Sequence, residues 1–298
     1  MSGPPLTVLL TGAGGQLGQE LVAQCPAGVT LIATGRSELD LADAQACRQL
    51  VLERRPDWVL NAGAYTAVDR AESEPELAEA VNAGAPQALA AALAGTGGRL
   101  LHLSTDFVFD GRQGSPYATD QLRSPLGVYG ASKAAGEEAL LASSLLADGR
   151  VHVLRTSWVY GPVGRNFCLT MLRLHGEKEE IGVVADQVGC PTATPTLAAA
   201  CWRLIERAEV GLPDILHWSD AGAASWYDFA VAIGELGVEL GLLQRQARVK
   251  PITTADYPTP ARRPSYSLLD CTASRTALGL EPLHWREALR QVLGRLVP

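Results

Sequence analysis

The sequence predicts an α/β protein, with a doubly wound parallel sheet followed by a smaller C-terminal α/β lobe. Three observations carry that reading. A short β-rich apolar run at Thr7–Thr11 breaks directly into Gly12-Ala13-Gly14-Gly15-Gln16-Leu17-Gly18, and a helix-like segment follows. Apolar runs of similar length then alternate with helix-like segments as far as Arg155, the pattern of parallel strands joined by crossover helices. Beyond Arg155 the alternation loosens into shorter, irregular pieces with no linker between the halves.

Taken in order, Thr7–Thr11 reads as a buried parallel strand, because it is a continuous apolar run bounded by glycine. Gly12, Gly15 and Gly18 lie between it and a helix predicted over Gln19–Cys25. Such a loop turns tightly, lets the backbone approach a pyrophosphate and aims free helix N–H groups at it. The second strand, Thr30–Thr34, ends in Thr34-Gly35-Arg36-Ser37. Dinucleotide folds selective for NADH place an acid there for the ribose hydroxyls. An arginine suits a 2′-phosphate, so NADPH is favoured, while Glu38 and Asp40 leave NADH open. A helix capped by Asp40 or Asp43 runs to about Arg54. The third strand, Trp58–Asn61, leads into Ala62-Gly63-Ala64-Tyr65-Thr66, small residues that leave room for a ligand in the crevice. A helix over Leu77–Leu93, a fourth strand at Arg99–Ser104 and a fifth at Val151–Arg155 complete the first half. Thr105, at the end of the fourth strand, can either bond a substrate oxygen or merely cap the strand.

In the second half the expected elements are a helix near Phe167–His175, a strand at Ile181–Val184 and a helix at Thr196–Ala208. A strand near Ile215–Trp218 and helices from Trp226 and Trp285 follow. The division is a dinucleotide domain over residues 1–156 and, over 157–298, a substrate lobe partly interleaved with it.

Composition excludes several classes. The chain has 298 residues, 47% of them hydrophobic and 19% charged, which is an ordinary globular balance. A net charge of −7 without a block of like charges argues against a nucleic-acid footprint. No apolar run reaches the roughly 18 residues of a membrane span, and the N-terminus lacks the basic start of a secretory leader. The six cysteines are scattered, with no Cys-x-x-Cys, which suggests reduced buried thiols in a cytoplasmic protein and no zinc site.

The chemistry-bearing stretch is Val128-Tyr129-Gly130-Ala131-Ser132-Lys133. On a helix, Tyr129 and Lys133 share a face, and a cation beside a phenol lowers its pKa from about 10 towards neutrality. A tyrosine so tuned exchanges a proton with a carbonyl or hydroxyl oxygen. The plain alternative is a surface pair of no consequence.

Four features coincide: the glycine loop, the Asn61-Ala62-Gly63-Ala64 strand end, Ser104-Thr105-Asp106, and Tyr129-x-x-x-Lys133. Together they resemble the extended short-chain dehydrogenase/reductase family, built on the Rossmann fold. Within it the chain is most similar to the dTDP-4-dehydrorhamnose reductases. That similarity spans nearly the whole chain through Asp69, Phe107-Val108-Phe109-Asp110-Gly111, Arg155-Thr156-Ser157-Trp158, Gly189-Cys190-Pro191-Thr192 and Pro258-Thr259-Pro260-Ala261-Arg262-Arg263-Pro264. The resemblance implies that Tyr129 gives a proton to the C4 oxygen of a keto sugar while NAD(P)H delivers hydride. It implies that Lys133 tunes Tyr129 and holds the nicotinamide ribose. Thr105 and Asp106 would contact the sugar, and Trp158 would line its pocket. Gly15, Gln16, Leu17, Asp40, Leu41, Ala64, Tyr65 and Thr66 would line the dinucleotide, joining Gly12, Arg36, Ala62 and Gly63, which the residues themselves point to. Asn166 and Arg263 would help hold the nucleotide diphosphate, against the plain readings of a loop-capping amide and a structural ion pair.

Some relatives of this kind dimerise through a metal held by glutamates. Here Pro191-Thr192-Ala193-Thr194-Pro195 offers no acid, so no metal is expected, although a homodimer stays open. Rival readings are an epimerase on the same fold, which would retain its nicotinamide, and a non-catalytic regulatory subunit. A 4,6-dehydratase carries a glutamate after the Thr-Asp pair, where this chain has Phe107.

Overall fold

The computed structural model describes residues 5–208 and 211–297; residues 1–4, part of the N-terminus read as lacking a leader, lie outside them. Five parallel strands follow the sequence pattern: β1 (Leu6–Thr11), β2 (Val29–Thr34), β3 (Trp58–Asn61), β4 (Arg99–Thr105) and β5 (Val151–Thr156). A sixth, Ile215–His217, comes from the second half and pairs in parallel with β5. From that strand the order runs β5, β4, β3, β1, β2. β1 thus lies between β2 and β3, and the crossovers leave it in opposite directions. That is the topological switch point, where the C-terminal strand ends open a crevice.

Alternation along each strand splits the core into two layers. Val8 and Leu10 of β1, Trp58 and Leu60 of β3, and Leu101 and Leu103 of β4 face the helices Gln16–Ala23 and Thr194–Arg207. Leu9, Val59, Leu100, Val151 and Val153 face the helices Ala44–Arg54 and Ala85–Thr96. The second half therefore supplies both a strand and a covering helix to the first half's sheet. A separate core lies under Phe167–Glu177, Trp226–Glu239 and Trp285–Gly294, around Phe229, Ile233, Trp285 and Leu289.

Three local departures from expectation have physical causes. The predicted Leu77–Leu93 helix begins at Pro75, whose ring suits a first turn, and carries a π-turn at Ala80–Gly84. Helix-favouring Ala, Leu and Glu run from Ser132 to Leu146, but the helix of Tyr129 starts earlier, at Val128, and ends at Leu141 before a short turn at Ser144–Ala147. The strand Arg248–Ile252, parallel to Glu180–Val184, is not apparent in the sequence. Its charged residues and Pro251 disguise it, and an outer strand tolerates both. Among the described residues no helix is long and apolar enough to cross a membrane.

Candidate active site

The glycine loop works by close approach. Gly12 adopts φ +69°, and a Cβ there would lie 2.6 Å from Gly63 Cα. A Cβ on Gly63 would meet Leu41 Cδ1 at 2.4 Å, and one on Gly18 would meet Gly12 O at 2.1 Å. The strand ends of β1 and β3 thus touch through bare backbone. The helix that follows begins at Gln16, with Gly15 at its cap and no side chain on its free N–H groups. At the end of β2, Glu38 folds back to accept Gly35 N–H at 2.8 Å, and Asp40 accepts Ala42 N–H at 3.0 Å. Both carboxylates are engaged within their own loop. Arg36 is exposed in the cavity wall with no ion-pair partner among the described residues.

These loops open into a cavity of about 960 Å³, large enough for a dinucleotide and a sugar. Its wall includes all the residues singled out from the sequence, from Gly12, Gly15, Gln16 and Leu17 through Ala62, Ala64, Tyr65 and Thr66 to Trp158, Asn166 and Arg263. Tyr65 is fixed on both sides: its hydroxyl donates to Glu74 at 2.6 Å, and its N–H donates to Asn82 Oδ1 at 2.9 Å. Asn82, on the π-turn, also donates to Tyr65 O and to Ser132 Oγ, so it ties the cofactor-side loop to the Tyr129 helix.

Tyr129 sits in the first turn of its helix, its ring edge-on to Phe107 at 5.5 Å. Its electrostatics correct the expectation from spacing. Burial pushes the phenol up to about 12; a hydrogen bond with Thr105 pulls it down, and the Asp106 charge pushes it further up. Lys133 is not among the influences on the phenol, and its ammonium has hydrogen-bond partners on the strand beneath. Nζ donates to Leu103 O at 2.6 Å and lies 3.1 Å from His102 Nε2. Burial pulls Lys133 itself down to about 8, with the Glu137 charge pulling the other way. The tyrosine is therefore a neutral phenol, equipped to donate. Asp106, buried behind Thr105 and accepting its hydroxyl at 3.0 Å, is raised to about 6 by burial, with bonds from Ser267 and Thr105 opposing.

The far wall belongs to the second half. Trp158 holds a left-handed φ of +46°, uncommon for a bulky residue and a mark of local strain. Its ring stacks on Trp226 at 3.6 Å, and Trp226 is held by Gln187 at 3.2 Å. Asn166 caps the Phe167 helix through Leu169 N–H and donates to Gln16 Oε1 at 2.7 Å, bridging the lobe to the glycine-loop helix. Arg263 forms a two-pronged ion pair with Asp69, at 2.8 and 3.1 Å, so the plain reading of that residue is present in the structure.

Beneath the tyrosine helix, Glu137 is fully buried against Arg155, with contacts of 2.7 and 2.9 Å, and accepts Ser104 Oγ at 2.5 Å. Burial raises this carboxyl, but the bonds and charge of Arg155, with Ser104 and Arg123, outweigh it and hold it below the usual range. Sequence reading had not singled out Glu137, Asn82, His102 or Trp226 as site residues. The one available cue for His102 was a polar residue inside the apolar run of β4.

The sheet order, the glycine crevice at its switch point and the Tyr129–Lys133 helix above it define an oxidoreductase of the short-chain dehydrogenase/reductase class. A family model described as the RmlD substrate binding domain matches residues 6–297. A dTDP-4-dehydrorhamnose reductase of Sinorhizobium fredii is 40% identical over 296 residues, covering 98% of each chain. The crystal structure of a dTDP-4-dehydrorhamnose reductase from Clostridium acetobutylicum superposes with a TM-score of 0.89 at 35% identity, covering 98% of this chain and 99% of that one. That of the Bacillus anthracis reductase, in complex with NADP, gives 0.89 at 34% identity, covering 97% and 98%. The chain belongs to this family, the dTDP-4-dehydrorhamnose reductases.

Proposed function

We propose that the protein reduces the C4 ketone of dTDP-4-dehydro-6-deoxy-L-mannose to give dTDP-L-rhamnose, with NADPH as the preferred cofactor and NADH as a weaker one. The observation that carries the reading is geometric: Tyr129, Thr105 and Lys133 line the same cavity that the glycine loop opens. Residues 1–156 form the cofactor side and 157–298 most of the sugar side. The bare approach of Gly12 to Gly63, the uncapped helix at Gln16 and the exposed Arg36 suit a dinucleotide bearing a 2′-phosphate. Leu17, Asp40, Leu41 and Ala62–Thr66 line its path. When bound, NADPH supplies the hydride to C4.

The chain's own residues supply the rest. Negative charge develops on the C4 oxygen as the ketone is reduced, and Tyr129 gives it a proton. Thr105 lies beside the phenol, and its one hydroxyl proton, which Asp106 accepts in the structure, turns to that oxygen when the sugar is bound. Lys133 contributes positive charge on the cofactor side. Trp158, backed by Trp226, forms the wall of the sugar pocket. Asn166 and Arg263 stand at the nucleotide end, where the guanidinium is shared between Asp69 and the diphosphate. Buried free thiols, five of the six cysteines, suit a reducing cytoplasm.

The test mixes the purified protein with the keto sugar and NADPH, follows nicotinamide absorbance and identifies the product sugar. Absence of oxidation with both NADPH and NADH sinks the reading.

A further inference from the structure

Lys133 is only 2% exposed, and its Nζ has two partners among the described residues: Leu103 O at 2.6 Å and His102 Nε2 at 3.1 Å. His102 is buried as well, and its Nδ1 lies 2.9 Å from the Asn61 amide nitrogen, Nδ2. That amide is 2.6 Å from Thr11 Oγ1, which also accepts Gly63 N–H at 3.3 Å. One buried line of polar groups therefore crosses the sheet. It runs from the Gly12–Gly63 contact through β1, β3 and β4 to the lysine of the reactive helix.

Charge decides the direction of that line. An ammonium carries three donors and no acceptor, so a neighbouring imidazole must turn a lone pair towards it. Burial, and then the Lys133 charge, hold His102 well below its ordinary value, so the ring is neutral. A hydrogen-bond acceptor favours the charged form of a buried lysine, opposing the burial that strips its proton.

We propose that His102 is a positioning residue for Lys133: its Nε2 lone pair takes one ammonium N–H, which keeps the buried lysine charged and fixed in the cavity wall. With Nε2 accepting, the ring proton sits on Nδ1. This reverses the Asn61 amide from the orientation in the structure, exchanging its two ends in place so that the oxygen faces the ring and the NH2 faces Thr11. Of the charged groups around this helix, Glu137 also favours the charged lysine through its own charge, but no ion pair joins the two. Glu137 is paired with Arg155 of β5 and Arg123 of the preceding loop, Asp106 acts on Tyr129, and Glu72 accepts Val128 N–H.

The part His102 plays in turnover rests on the reductase reading, but the decisive measurement does not. The chain has three lysines, and the other two, Lys178 and Lys250, are exposed. Protein labelled with 13C at the lysine ε-carbon gives three NMR signals, with Lys133 assigned by its loss in Lys133→Met. His102→Leu lowers the Lys133 titration midpoint by about one pH unit or more, and His102→Gln, whose amide oxygen can accept the same bond, recovers most of it. In the wild type, 15N spectra of the histidines show His102 protonated on Nδ1 and bare on Nε2. An unchanged Lys133 midpoint in His102→Leu overturns the proposal. So does a wild-type ring protonated on Nε2, which decides the matter even where the leucine variant does not fold. If the midpoints shift while the wild type reduces no keto sugar, the His102–Lys133 pairing stands and the reductase reading falls.

Discussion

Removing one oxygen from Tyr129 separates its proton from everything else the residue does. In Tyr129→Phe the ring keeps its edge-on contact with Phe107, and the helix keeps its start at Val128. Folding and NADPH affinity should be unaltered. What disappears is the donor to the C4 oxygen. A positioned general acid contributes about 10²–10⁴ in rate, which is about 3–5 kcal/mol of barrier. The Thr105 hydroxyl remains nearby as a substitute donor, so the lower half of that range is expected, a fall in kcat of about 10²–10³. The pH dependence carries more information. A phenol pushed up to about 12 keeps its proton across the working range, whereas Lys133, pulled down to about 8, loses its charge within it. The basic limb of kcat/KM should therefore fall near pH 8 and should survive in Tyr129→Phe. Initial rates from nicotinamide absorbance, taken from about pH 6 to about pH 10 on both proteins, check this. Turnover close to wild type in the phenylalanine variant, or a basic limb that vanishes with the phenol, would refute the reasoning.

Glu137→Gln leaves the Arg155 charge buried without its counter-ion and should cost about 3–5 kcal/mol in urea unfolding. Because the folded-state pKa of Glu137 is depressed, its contribution is full above the unfolded carboxylate value and is lost as pH falls through the folded value; the gap between wild type and variant should narrow in acid. Gly12→Ala adds a Cβ 2.6 Å from Gly63 Cα at a left-handed φ, and should weaken NADPH binding by at least about tenfold in a fluorescence titration. Arg36→Ala should raise KM for NADPH by about 10–100-fold and leave KM for NADH nearly unchanged; equal changes for both cofactors would remove the 2′-phosphate contact.

What could be read from the sequence was whatever the chain spells out locally. Gly12, Gly15 and Gly18 sit within a few residues of one another, and Tyr129 and Lys133 are one helical turn apart. The strands β1 to β5 show as apolar runs. What could not be read depends on which distant groups meet. Spacing put the Lys133 ammonium beside Tyr129, but β4 offers it Leu103 O and His102, and burial then drives the phenol up instead of down. Arg263 and Asp69 are nearly two hundred residues apart, so neither announces the other. Asn82 passes for an ordinary residue in an Ala-rich helix until the π-turn aims it at Tyr65 and Ser132. The strand at Ile215–His217 was visible, but nothing in its three residues says that its partner is β5.

That last strand bears on how the protein is made. A nascent chain released as far as Thr156 holds the glycine loop, the tyrosine and the lysine, yet β5 is an open edge. Trp58, Leu60 and Leu101 still lack the cover of Leu197, Trp202 and Leu204. The ribosome must extend the chain past Arg207 before that apolar face is covered, and past His217 before the β5 edge is paired. Until then the half-built sheet offers sticky β-edge and bare hydrocarbon to its surroundings, a natural client for a holding chaperone.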